Sequence, residues 1–559
     1  GGLDSIFAND MRFTYRNQLM FLGNIAVFSP LKLDSLYIHA NCEDLYCNYT
    51  LLNDILSQLQ INSTHIPTFL SSLGNIHYKG DIDGRFEDMD LHGTFKTALG
   101  KINVHGNLKT DTTFTRAKFL GDVSTPSFQL GQLLNNSDLE EIAFSASVDG
   151  SLDSISIKHC IAEANIQHIK YRGYTYHDLR FDGELDNKEI QGHFSVKDPN
   201  INLEINGLAN WSQEDTRLDI TTHIHDFCPH AIHLTDDYSE MTVGATAYIN
   251  LSTSGKQWID NLNGCVTIDT FSIQNGHKQA VMEQMKLLIG HEIKNGKSAH
   301  RLQLQSDYVT ANMSGEYQYT TLKNTIQQII STYLPSLVEK PKKKNRQPND
   351  LTFYAYFREL GQISDVLNLD ISLPHYPTIK GTINERTQQV ELQAYIPSIN
   401  TLGTNIKDLT IALNNQNNAL DLSVYMYNRL PKHNPTAAKI GDVKAHINMA
   451  AQNDEIELQV SLDNTDSVRN EGVINITSSI ARYANKPLFD IHIHPSDFLL
   501  NDSVTLVNSI SFADFKSQSL IESLFGTGST AIGLFITSSN FISSNIIFFN
   551  FSFQTNQEA

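Results

Sequence analysis

Glu455-Ile456-Glu457-Leu458-Gln459-Val460-Ser461-Leu462-Asp463 alternates polar and apolar residues without a fault. Side chains of an extended chain point to opposite faces in turn, so this stretch has one apolar and one polar edge and reads as a half-buried strand. The same period recurs in Val443, Ala445, Ile447 and Met449 and in Ile201, Leu203 and Ile205. It recurs again in Leu409, Ile411 and Leu413, in Ile102 and Val104, and in Ile155 and Ile157. A sheet of such strands is wet on one side and greasy on the other.

Glycines punctuate the runs. Gly80, Gly84, Gly93, Gly106, Gly121, Gly150, Gly183, Gly192 and Gly207 form one series, at places where strands turn or bend sharply. Strand, turn and strand repeat from about residue 76 to 500, more sheet than one sandwich uses. The chain must curl, close or wind. Roughly 30 strands at ~4.8 Å would span ~140 Å.

Helical spacing interrupts this in four places: Leu51 to Leu59, a short turn from Ile66, Phe128 to Leu134, and Leu322 to Leu334. In the last, Leu322, Ile326, Ile329, Ile330, Tyr333 and Leu334 share a stripe, suited to covering a sheet end. A basic, proline-containing linker follows, from Lys340 to Pro348. The expected organisation is N-terminal strands and short helices (1–75), a main β-segment with a capping helix (76–338), the linker (339–350), a second β-segment (351–510) and a low-charge tail (511–559) of uncertain order.

Composition narrows the function. The 559 residues carry a net charge of −20, which makes a poor nucleic-acid binder, because phosphate contact needs clustered Lys and Arg. Anionic headgroups would be repelled from the outer surface too, so any lipid contact should be apolar. Charged residues are 18% of the chain and the mean hydropathy is −0.27. No stretch of about 20 apolar residues reads as a membrane-spanning helix. The five cysteines, Cys42, Cys47, Cys160, Cys228 and Cys265, form no zinc pattern and no disulfide framework. Cys42 and Cys47 either bridge a local loop in an oxidising compartment or are ordinary thiols near a turn.

Chemistry-bearing clusters are few. His223, His225, Asp226, Cys228, His230 and His233 have metal-ligand chemistry, but Leu218, Ile220 and Ile224 set the apolar register there, which leaves His223 and His225 on a solvated strand face. His492 and His494 alternate with Ile491 and Ile493 in the same way. Asp81, Asp83, Glu87, Asp88 and Asp90 lack the order of a calcium loop. No nucleophile elbow, P-loop or dinucleotide fingerprint is present. A non-enzymatic protein with no cofactor and no metal is expected.

Several stretches, taken in order, resemble one family. Leu73-Gly74-Asn75-Ile76-His77-Tyr78-Lys79-Gly80 leads into Asp83-Gly84-Arg85-Phe86, and Gly93-Thr94-Phe95-Lys96-Thr97 follows. Gly173-Tyr174-Thr175-Tyr176 precedes Phe181-Asp182-Gly183, Asp198-Pro199-Asn200 precedes Gly207, and His233-Leu234-Thr235-Asp236 and Tyr333-Leu334-Pro335 come later. Together they resemble the translocation and assembly module (TamB/AsmA-like) family in its Bacteroidetes form, with this chain as an internal fragment. The resemblance covers roughly residues 70 to 400 and does not extend to the last 50 or so. It implies an elongated, curled antiparallel sheet forming a U-shaped, solenoid-like β-groove with short capping helices. It also implies a periplasmic location, an inner-membrane anchor helix upstream of Gly1, phospholipid as the cargo and an outer-membrane barrel of the Omp85 type as partner. The family is further linked to assembly of outer-membrane or secreted proteins.

Under this reading the groove lining is Ile102, Val104, Ile155, Ile157, Ile201, Leu203, Ile205, Leu409, Ile411, Leu413, Val443, Ile447, Ile456, Leu458, Val460 and Leu462. The rival is a structural or adhesive β-solenoid whose apolar faces only fill a core. A polysaccharide-acting β-helix would need paired carboxylates in an aromatic cleft, and no such pairing is legible.

Overall fold

Alternation gives strands, and the strands pair with their neighbours in the chain. The computed structural model describes residues 4–512 apart from 16–17, 31–34, 52–53, 55–67, 86, 112–115, 154–155, 213–215, 295, 342–346, 370, 374, 402–403, 430–442, 465–470, 484–485, 501–502 and 508–509. It is all-β, with 71% strand against 8% helix, and its antiparallel sheet does not close. Of the expected helix at Leu51–Leu59 only Leu51 and Asp54 are described, both helical, and the tail after residue 512 lies outside the described residues. The other three helical expectations correspond to a 3-10 turn at Thr68–Leu73, α1 (Leu130–Leu134) and α2 (Leu322–Tyr333). A further short helix, α3 (Gly361–Val366), was not legible from spacing.

Two compact units divide the chain. Unit 1 is Gly1–Glu292, Arg301–Asn312 and Leu360–Leu369; unit 2 is Ile293–His300, Met313–Glu359 and Asp370–Ala559. The break expected at the basic linker therefore falls inside unit 2. There the Gln347 side chain donates to the Ser298 carbonyl (2.8 Å) and accepts from the Ser298 amide (2.7 Å), tying the linker's end to a strand.

Glycine lets neighbouring strands of unit 1 approach closely. Gly183, Gly192 and Gly207 stand opposite one another on three successive strands. Gly207 has φ +155°, and a Cβ there would lie 2.1 Å from the Asp219 carbonyl oxygen. Aromatic rings use the room the glycines leave: a Cβ on Gly183 would meet the Phe181 ring at 2.8 Å, and one on Gly93 the Tyr78 ring at 2.7 Å. Unit 2 repeats the device once, with the Phe353 ring over Gly381.

Several buried cores sit towards one margin of each unit, where short covers fold over strand ends, and one in unit 1, built on Phe21, Ala40, Cys42 and Tyr78, lies on the sheet face itself. In unit 1 the Thr68–Leu73 turn and α1 cover Leu99, Phe128 and Ile142, with Leu73, Leu130 and Leu133 packed against them. The segment after Phe227 buries Ile232 among Leu179, Val196 and Ile201. Next along the margin, α3 is held by Asn275 Nδ2 donating to the Val366 carbonyl (2.9 Å) and Tyr238 donating to the Leu367 carbonyl (3.2 Å).

In unit 2 a single rail does this. Ile329, Tyr333 and Leu334 pack on Leu420, Ala451 and Ile480, while Ile326, expected in the same stripe, is 47% exposed. From α2 onward one side chain engages each of four successive hairpins. Thr325 donates to Glu385 (2.7 Å), Asn415 donates to the Tyr333 hydroxyl (2.9 Å), the Ser336 hydroxyl donates to Asp454 (2.9 Å), and Glu339 pairs with Arg482 (3.0 Å). Asn349, fully buried, completes the first bolt: its amide donates to Glu385 and its side chain to Thr325. Satisfying buried polar groups in this way removes a penalty of about 1–3 kcal/mol for each.

Candidate functional site

Cross-strand register decides whether the apolar positions of separate strands form one surface. In unit 1 they do. One file runs from Ala8 through Ile25, Ala40, Ile82 and Leu91 to Gly106 and Gly121. It continues through Val148 and Ala162 to Gly183, Gly192 and Gly207, then through Ile220, Ile249 and Val266 to Leu287. No polar side chain interrupts it.

A parallel file two residues away holds Val104 next to Val123 and Ile205 next to Phe194, with Thr222 its one hydroxyl between Gly23 and Met285. Cys42 belongs to the same file, between Gly23 and Gly80. Burial, with a smaller contribution from the Asp81 charge, pushes its thiol up to about 11. Cys160 lies in the next file, between Gly150 and Leu185, and is also pushed up, again by desolvation first. Both shifts mark this face as a poor solvent for charge.

Unit 2 has its own files. Phe353, Gly381, Leu392, Leu413, Leu422, Met449, Leu458, Ile476 and Ile493 stand in one line. Ala355, Ile379, Ala394, Ile411, Val424, Ile447, Val460 and Ile474 stand in the next. Leu462 pairs with Ala445 in a third, and Leu409 pairs with Ile396. In the opening stretch, Glu455, Glu457 and Gln459 are exposed and Ile456, Leu458 and Val460 half-buried, as alternation requires.

The expected lining residues therefore fall into groups. Val104, Ile205, Leu409, Ile411, Ile447, Leu458, Val460 and Leu462 are half-buried. Ile102, Ile201, Leu203, Leu413 and Ile456 belong to the packed clusters at the covered margins, so they hold covers in place. Ile157 lies beyond a β-bulge, opposite Leu152, and is 44% exposed at the other margin. The bulge interrupts the simple alternation between Cys160 and Ile157. Ile155 lies outside the described residues. Val443 pairs through its backbone with Asn428 and Asn464.

The opposite face of unit 1 is polar in register. Asn41, Asp81, His92, His105, Asp122, Ser147, Glu163, Asp182, His193 and Asn206 follow one another across the strands. Asn41 donates to Asp81 (2.6 Å), Ser147 donates to Asp122, and His193 Nδ1 meets Asn206 Oδ1 at 2.7 Å.

The acidic group noted in the sequence is divided among cross-strand partners. Asp83 pairs with His39, and Asn107 bridges Asp88 and Asp90. Hydrogen bonds from Asn107 and then Lys109 hold Asp88 below the usual carboxylate range. His223 meets the Thr246 hydroxyl at 3.3 Å, and His225 is exposed. Among the described residues no group of three His, Cys, Asp or Glu is placed to hold a metal ion. Cys42 and Cys47 are both free. They lie five positions apart on the strand Tyr37–Asn48, about 16 Å at extended rise, far beyond disulfide reach.

Comparison with protein-family models, with curated proteins and with solved structures finds no match. The TamB-like reading rests on the residues quoted for it in the sequence. No helix among the described residues is long and apolar enough to cross a membrane, which leaves strands out of account.

The two margins of unit 1 differ. Covers lie along one. Along the other the strands join by hairpin turns, as at Arg85–Asp88 and Asp186–Glu189, and by the loop from Thr253 to Asn263. The apolar face of unit 1 thus has one built-over edge and one edge of simple turns.

Proposed function

We propose that the apolar faces shelter the acyl chains of lipid in transit between two membranes, in the manner of a periplasmic TamB-like protein. The observation that carries this is register. Apolar residues keep to one side over strand after strand in both units, and between the covered margins most of them are only half-buried, with Ala40, Cys42, Ala247, Ala394 and Ile476 buried. An alkyl chain lying on such a file would bury surface worth about 0.8 kcal/mol per CH₂ group. Because the file is unbroken, displacement along it meets no polar step, and the headgroup stays at the edge of simple turns. No catalytic group is required.

On this reading the anchor to the inner membrane, a barrel partner of the Omp85 type and a share in outer-membrane protein assembly belong to the larger system. The packed clusters at the covered margins, and the one around Ala40, Cys42 and Tyr78, favour the rival, a scaffold without a ligand, at those places. Expression of the chain in a bacterial periplasm, purification and mass spectrometry of co-purified lipid separate the two. The conduit predicts stoichiometric diacyl lipid. A chain that is folded and lipid-free supports the scaffold.

A further inference from the structure

The edge of simple turns in unit 1 is uneven. Between the turn Asp186–Glu189 and the neighbouring strand ends lies a cup of about 400 Å³, within the ~300–1,000 Å³ range of small-molecule sites. Lys158, on the neighbouring strand Ser156–Tyr171, and Lys188, within that turn, both line it. Their backbones are fixed: the Lys158 carbonyl accepts from the Asn187 amide (2.7 Å) and the Lys188 carbonyl from the Trp211 amide (3.0 Å). Neither ammonium is paired with a carboxylate among the described residues.

Two carboxylates share the cup, each held by a carboxamide. Asn187 donates to Asp186 (2.9 Å) and Asn210 donates to Glu189 (3.1 Å). An amide bond satisfies part of a carboxylate's accepting capacity and leaves its charge in place. The cup therefore presents two cationic donors and two anionic acceptors, positioned independently of each other.

Its rim is apolar. Ile157 lines it, and Trp211 follows Asn210 on the strand whose Ile205, Gly207 and Ala209 belong to the apolar face. Trp211 is 49% exposed at the end of that face, where an indole suits the boundary between apolar and wet surroundings. Alternation turns Asp186, Glu189 and Asn210 to the polar side. A group entering the cup from the apolar face must then reach over the rim.

We infer that this cup is a headgroup site for a zwitterionic phospholipid: Lys158 and Lys188 take the phosphate, and Asp186 and Glu189 take a primary ammonium. The inference deepens the lipid reading above and rests on it. A headgroup with one phosphate and no amine would meet the two carboxylates without a counter-charge, and a neutral diacylglycerol would use neither pair.

The test loads the full purified chain from detergent with equal amounts of phosphatidylethanolamine, phosphatidylglycerol and diacylglycerol carrying identical acyl chains. Bound ratios are read by mass spectrometry. The wild type should favour phosphatidylethanolamine over phosphatidylglycerol about fivefold, the scale expected of two exposed charge pairs. D186N with E189Q should bring that ratio to about one. K158Q with K188Q should bring phosphatidylethanolamine down to the diacylglycerol level. If all three lipids load in ratios that neither double variant changes, the cup has no role in selection and the conduit stands without it. If none loads, diacylglycerol included, the conduit reading falls and the headgroup site with it.

Discussion

Unit 1 and unit 2 solve the same problem with different parts. Both must stop a one-sided sheet from being open along both margins. Unit 1 does so piecemeal, with a 3-10 turn, α1, the segment around Ile232 and α3, each over its own few strands. Unit 2 uses one rail from Thr325 to Glu339, bolted to four hairpins in turn. Their floors differ too. Unit 1 sets glycines against overlying aromatic rings, whereas the files of unit 2 are mostly Ile, Leu, Val and Ala. Separate covers fail separately, and a shared rail should loosen as a whole. Glycine floors depend on backbone approach, and branched aliphatic floors depend on side-chain packing.

The largest effect should come from the unit 1 floor. Gly207→Ala puts a Cβ against the Asp219 carbonyl in a backbone region that alanine avoids. It should cost about 3 kcal/mol, seen as an earlier urea transition confined to unit 1. A neutral outcome would show that these strands part freely there.

Next comes the rail. Glu385→Ala removes the acceptor of both Thr325 and the Asn349 amide and should cost unit 2 about 2 kcal/mol. Hydrogen exchange should quicken along the whole of α2, leaving α1 as it was. If only the residues beside Thr325 respond, the rail is not one unit. Tyr333→Phe, which deletes a single bolt to Asn415, should cost about 1 kcal/mol in the same measurement.

The smallest effect concerns charge. Glu316 is held below the ordinary glutamate range, first by Lys297 and then by Arg386, both in unit 2. A lowered folded-state value adds stability above the unfolded value and loses it as pH falls through the folded one. Acidification should therefore weaken wild-type unit 2 slightly more than E316Q. Equal slopes would mean that solvent screens the pairs completely.

Much of this was legible in the sequence, for physical reasons. Strands show themselves by a local period of two, so Glu455 to Asp463 disclosed its two faces unaided. The stripe from Leu322 to Leu334 likewise disclosed a covering helix, although not that Ile326 would stay exposed. Information that lies between strands was out of reach. Nothing near Gly192 says that it will face Gly183 and Gly207, and nothing near Asn349 says that it will be buried against Thr325 and Glu385. The bulge beside Ile157 is not written in the local period, and the covers over Ile102 and Ile201 come from distant or irregular segments. The contrast between the two margins, on which the headgroup site depends, is likewise a property of pairing.

The most direct trial of the account is photo-crosslinking in cells. A diazirine side chain placed at Ile447 or Val460, half-buried on the apolar face of unit 2, should capture lipid. The same group at Glu457 or Gln459, on the strand of Val460 but on its polar side, should not. Equal capture on both faces, or capture on the polar side alone, would contradict the claim that the apolar files carry the alkyl chain.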